Sequence, residues 1–71
     1  MEERRVEIFG KDTLPYTTAA REDYAKRKYS VRYLNVKADK RELARMIQLS
    51  GGRDVPVILE NGTVTVGFGG T

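Results

Sequence analysis

The chain has 71 residues, enough for one domain with one core, and neither Cys nor His occurs in it. Disulfide staples, thiolate or imidazole metal sites and Ser-His or Cys-His catalytic pairs are therefore excluded, and stability has to come from packing of regular elements. Thirteen basic and ten acidic residues leave a net charge of +3 with the signs mixed along the chain. That pattern reads as a solvated surface and lacks the one-signed stripe with interleaved aromatics used by nucleic-acid readers. No nucleic-acid or membrane partner is expected, because no apolar run approaches the roughly 18–20 residues that span a bilayer. The first residues, Met-Glu-Glu-Arg-Arg, do not read as a signal peptide, so a cytoplasmic location is expected.

Arg5 to Phe9 places Val6 and Ile8 on one side of an extended segment that Gly10 ends. A polar loop, Lys11 to Leu14, leads to Pro15, a residue suited to the first helical turn because its missing N–H has no partner there. Tyr16, Ala19, Ala20 and Tyr24 then recur on one face of a helix expected over residues 15–28. Val31 to Val36 carries apolar residues on both faces, as a strand covered from two sides does. Asp39 and Glu42 resemble a capping box for a second helix, with Leu43, Met46 and Ile47 as its buried face and Gly51-Gly52 as its stop. Val57 to Glu60 and Thr63 to Val66 flank Asn61-Gly62, the strongest short signal for a type I′ hairpin. The order βαβ-α-ββ predicts a single domain over residues 1–71, with two parallel strands joined by a right-handed crossover and a hairpin added to them. The result is a mixed four-stranded α/β sheet with helices packed on it.

Functionally, the informative stretch is Gly10-Lys11-Asp12-Thr13-Leu14-Pro15-Tyr16-Thr17, directly after the first strand. It resembles the active-site loop of glutaredoxins, where Cys-Pro-Tyr-Cys opens the first helix. Leu14 and Thr17 stand at the two cysteine positions, and Pro15 and Tyr16 match the residues between them. Asp54-Val55-Pro56 resembles the family's Thr-Val-Pro segment, whose proline is cis. Gly67-Phe68-Gly69-Gly70 is similar to its glycine pair, and Lys11 stands where glutaredoxins commonly carry a lysine. The resemblance runs from Val6 to Gly70 and implies a thioredoxin-like fold without most of the family's C-terminal helix. That omission leaves one sheet face less covered and implies a monomer or weak dimer.

What the resemblance implies for chemistry is a thiol-disulfide oxidoreductase in electron transport. It would hold no tightly bound cofactor and no metal, take glutathione as co-substrate, and act on a small disulfide or a glutathionylated protein. A thiolate at position 14 would gain from unpaired helix N–H groups and the macrodipole, which lower a thiol pKa below roughly 8.5. Lys11, Pro15, Tyr16, Val55, Pro56, Gly69 and Gly70 would form the glutathione groove. Leucine has no ionisable group and threonine forms no disulfide, so Leu14 and Thr17 leave the exchange chemistry impossible as written. Three histories fit: a replaced cysteine, a replaced selenocysteine as in small bacterial glutaredoxin-like selenoproteins, or a natural redox-dead paralogue. Thr17 reads either as a first-turn residue bonding the backbone or as a hydroxyl partner for a chalcogen anion at position 14. The alternative function is a non-catalytic peptide- or protein-binding module on the same groove.

Overall fold

The computed structural model describes residues 3–70; Met1, Glu2 and Thr71, the ends of the expected domain, lie outside the described residues. Its elements are β1 (Arg5–Gly10), α1 (Pro15–Lys26), β2 (Ser30–Asn35), α2 (Lys40–Ser50), β3 (Val57–Glu60) and β4 (Thr63–Val66). They form one mixed sheet in the order β2-β1-β3-β4, as the element order predicts. β1 runs parallel to β2, with Val6 opposite Val31 and Phe9 opposite Leu34. β3 is antiparallel to β1, Phe9 facing Val57, and the hairpin adds β4 with Val57 facing Val66.

Alternation along β1 divides the core into two layers. Val6 and Ile8 meet Ala20 and Ile58 on the α1 side, with Tyr24, Tyr29, Val31 and Phe68 packed against them. Phe9 points the other way and joins Leu34, Val36, Met46 and Val57 under α2. Glu7 shares the α2 face and pairs there with Arg45 and Arg32, so the only acidic residue of β1 is compensated within the fold.

Local chemistry fixes the element ends. Asp39 caps α2 by accepting from the N–H groups of Arg41 (3.0 Å) and Glu42 (3.2 Å). The reciprocal half of the expected capping box does not form, because the Asp39 N–H goes to the Asn35 carbonyl and Glu42 pairs with Arg45. Gly51 closes α2 in the left-handed region, and Asn61 and Gly62 both have the positive φ of a I′ turn.

Helix α1 differs from expectation at its end and in its face. It stops at Lys26 rather than 28, because Lys28 turns left-handed (φ 67°). The Lys28 N–H then bonds the Ala25 carbonyl and the Tyr29 N–H the Tyr24 carbonyl, a Schellman closure. The Tyr24 and Tyr29 rings meet edge-on across it, with centroids 4.9 Å apart. The buried residues of α1 are Thr17 and Ala20, with Tyr24 half-buried, whereas Tyr16 is exposed. The sheet face beyond α1 is covered by Phe68 packing toward Tyr24, and the β4 positions on that face are the exposed Thr63 and Thr65.

Candidate functional site

The site is built where β1 gives way to α1. Gly10 ends the strand with its carbonyl accepting from the Val36 N–H (3.0 Å). It has to be glycine, because a Cβ there would lie 2.7 Å from Thr17 Oγ1 and closer still to Thr17 Cγ2. This close approach seats the first turn of α1 directly on β1. One step past the Phe9–Val57 pair, Pro56 falls opposite Gly10. The Val55–Pro56 bond is cis, as the resemblance implies, and the Pro56 carbonyl accepts from the Gly67 N–H (2.7 Å). Gly10 thus joins the α1 start on one side to the proline loop on the other.

Leu14 is the N-cap residue of α1. It offers no side-chain cap, the first turn contains no acidic residue, and its carbonyl accepts the first helical bond from the Thr18 N–H (3.0 Å). No acceptor among the described residues meets the Tyr16 or Thr17 N–H. The positive end of α1 is therefore open to a ligand. The Leu14 side chain is 37% exposed rather than sealed in the core. Pro15 is exposed in the first turn, as is Tyr16.

Thr17 lies one turn on and is 1% exposed. Its Oγ1 is the buried side-chain polar atom without a hydrogen-bond partner among the described residues. The bond to backbone considered for this hydroxyl does not form, because the side chain is wedged against Gly10.

Lys11, Arg53, Asp54, Val55, Val66 and Gly67 line an open groove of about 510 Å³ between the two loops and the end of the hairpin. Lys11 and Val55 thus come together as expected, with Pro56 buried next to Val55. Gly69 and Gly70 are exposed, at φ 65° and 98°, and are not among the groove's walls; Val66 and Gly67 take that place. Neither Lys11 nor Arg53 enters an ion pair among the described residues. Arg53 and Val66 were not singled out in the sequence; a basic residue three positions before the proline was the available signal.

The loop between β1 and α1 has its own anchor. Thr13 sits at φ 71°, uncommon for a non-glycine residue. Beside it, Asp12 Oδ1 accepts from the Tyr33 hydroxyl of β2 (2.6 Å), and the Arg21 guanidinium of α1 lies 3.8 Å over the Tyr33 ring. Partial burial, then the bond to Asp12 and its charge, push the Tyr33 hydroxyl up to about 12, with Arg21 opposing.

Solved structures share this fold. A glutaredoxin from Archaeoglobus fulgidus superposes with a TM-score of 0.81 at 17% identity, over 90% of this chain and 75% of that one. The glutaredoxin-like NrdH-redoxin from Escherichia coli, with its thioredoxin-like activity profile, gives 0.76 at 22%, over 92% and 84%. Wheat glutaredoxin gives 0.73 at 18%, over 87% of this chain and 61% of that one. The chain has a glutaredoxin-like thioredoxin fold. No family model matches its sequence, and no curated protein does either. Within that fold, Lys11 and Arg53 give the groove two cations against the one carboxylate of Asp54, and Lys11 belongs to the same four-residue loop that ends at the open start of α1. Residue 14 brings no nucleophile and no titratable group to it. None of the described helices is long and apolar enough to cross a membrane.

Proposed function

We propose that the chain is a glutaredoxin-like thiol-disulfide (or selenol) oxidoreductase domain that works with glutathione or a similar thiol and is inactive as written. Leu14 occupies the nucleophile position and Thr17 the resolving one. The observation that carries the reading is the placement of Leu14, an exposed and uncapped helix start joined through Gly10 to the cis Val55–Pro56 loop. A thiolate there would attack the glutathione sulfur of a glutathionylated substrate, forming a disulfide between the domain and glutathione and releasing the substrate sulfur as thiolate. A glutathione thiolate would then displace the domain and leave oxidised glutathione. Lys11 and Arg53 would hold carboxylates of the tripeptide, and the main chain of Val55 would pair with its extended backbone.

Replacing Leu14 with cysteine tests this. Leu14→Cys is expected to gain glutathione-dependent reduction of a small disulfide or a glutathionylated peptide. A folded Leu14→Cys variant with no gain over the parent refutes the reading.

The exposed apolar side chains Leu14, Tyr16 and Val66 favour a second reading, a non-catalytic module binding an extended peptide. Reduced glutathione titrated into the parent chain separates the two. Amide shifts at Val55 and Lys11 support the oxidoreductase reading, and their absence supports the module.

A further inference from the structure

We propose that Tyr33 is a positioning residue of this site, holding the Lys11–Leu14 loop in place through Asp12. The proposal rests on the reading that the α1 start and the groove are where the ligand binds. Four residues connect β1 to α1, and those of the connection are exposed, Leu14 included. Leu14 provides no cap, and Thr13 holds a backbone conformation that persists only where surrounding contacts enforce it. The Thr13 hydroxyl bonds the Asp12 carbonyl, within the loop itself. Among the described residues, the side-chain tether of this loop to another part of the fold is the hydrogen bond from Tyr33 to Asp12, spanning 21 positions of sequence.

Tyr33 is well suited to that task. Its ring lies half-buried on the α1 face of the edge strand β2, and Arg21 of α1 stacks on it. Strand, helix and loop therefore meet at one side chain. Asp12 precedes Thr13 and follows Lys11, so fixing its carboxylate sets both the cation in the groove and the approach of residue 14 to the helix N–H groups. Arg21 keeps the ring in place and leaves the hydroxyl free to donate.

The test is carried out in the Leu14→Cys background, reading the rate of iodoacetamide alkylation against pH. The introduced thiol is expected to titrate below roughly 8.5, the value of a free cysteine. Adding Tyr33→Phe keeps the ring and its stacking but deletes the donor, and is expected to raise the midpoint by roughly half a pH unit or more. At neutral pH that is about a threefold slower alkylation. Asp12→Asn retains an acceptor oxygen and removes a negative charge, so its midpoint is expected not to rise. A midpoint left unchanged by Tyr33→Phe, including one already at the free-cysteine value in Leu14→Cys, overturns the proposal. So does a loss of thermal stability alone, which a merely structural tether would give. Alkylation needs no turnover, so a Leu14→Cys variant inactive toward disulfides refutes the proposed function without touching this inference.

Discussion

The contact between Gly10 and Thr17 gives the sharpest quantitative prediction. In Gly10→Ala the new methyl would lie 2.7 Å from Thr17 Oγ1 and 3.1 Å from Thr17 Cβ. Carbon contacts prefer about 3.5–4.0 Å, so the overlap is near 1 Å. Threonine cannot swing clear: rotating its χ1 exchanges two branches that both crowd this point, and the residue is fully buried. Helix α1 must instead back away from β1, at about 1–3 kcal/mol for overpacking. Lost freedom of the unfolded chain returns about 0.4–1 kcal/mol, since Gly10 is strand residue and needs no positive φ. The net cost is about 1.3 kcal/mol, equivalent to roughly 5–10 °C in melting temperature for a domain this small.

Thr17→Ala alone removes a buried methyl, worth about 1 kcal/mol, but also a hydroxyl with no partner. The two effects nearly cancel. In the double variant the overlaps with Thr17 Oγ1 and Cγ2 are gone and the 3.1 Å approach to the Cβ of residue 17 remains. That small residual cost is offset by the lost freedom of the unfolded chain, so its stability is expected to match that of Thr17→Ala alone. The coupling is then about 1.3 kcal/mol, measured by urea denaturation followed by far-ultraviolet circular dichroism. Simple additivity, within about 0.5 kcal/mol, would show that the two residues do not share this space and would refute the packing argument.

Two further measurements follow from the same geometry. In a spectrophotometric titration Tyr33 is expected to ionise near pH 12, and Tyr33→Phe should abolish that late step. Because its folded pKa lies above the unfolded value of about 10, the stabilisation is complete below pH 10 and disappears as pH climbs toward 12. Asp39→Ala is expected to cost about 1 kcal/mol through loss of the α2 cap, and a melting temperature unchanged by it would contradict the cap's role.

The second half of the fold was plain in the sequence because local chemistry dictates it. Asn61-Gly62 sets both the turn and the register of its strands, Asp39 fixes where α2 begins, and Gly51 where it ends. Helix α1 was less legible, since its burial is decided by a residue outside it. Tyr16, Ala19, Ala20 and Tyr24 form an apolar stripe, yet the face that docks is centred on Thr17, because Gly10 leaves a niche there that only a short side chain fits. Its end carries no sequence mark, because a lysine, not a glycine, adopts the left-handed closing position. The site loop, the cis proline and Lys11 could be located from the order of short motifs. Arg53 and the Arg21–Tyr33–Asp12 cluster could not, since loop, helix and strand residues brought together only by the fold leave no periodic trace.

These features bear on what a leucine at position 14 means. An apolar N-cap forgoes about 0.5–2 kcal/mol that Ser, Asp or Thr would supply at the same place. The buried unpartnered hydroxyl of Thr17 is a further cost, and the left-handed Thr13 another. Helix α2, in the same chain, carries a full Asp39 cap and a glycine stop, so sequence optimisation is not lacking elsewhere. The unfavourable choices gather at one point, the junction of β1 and α1, whose loop also supplies Lys11, a groove cation without an ion pair among the described residues. Apart from the left-handed Lys28 that closes α1, the broken local rules gather at this one surface, the pattern expected where a surface answers to what it meets as well as to the demands of folding.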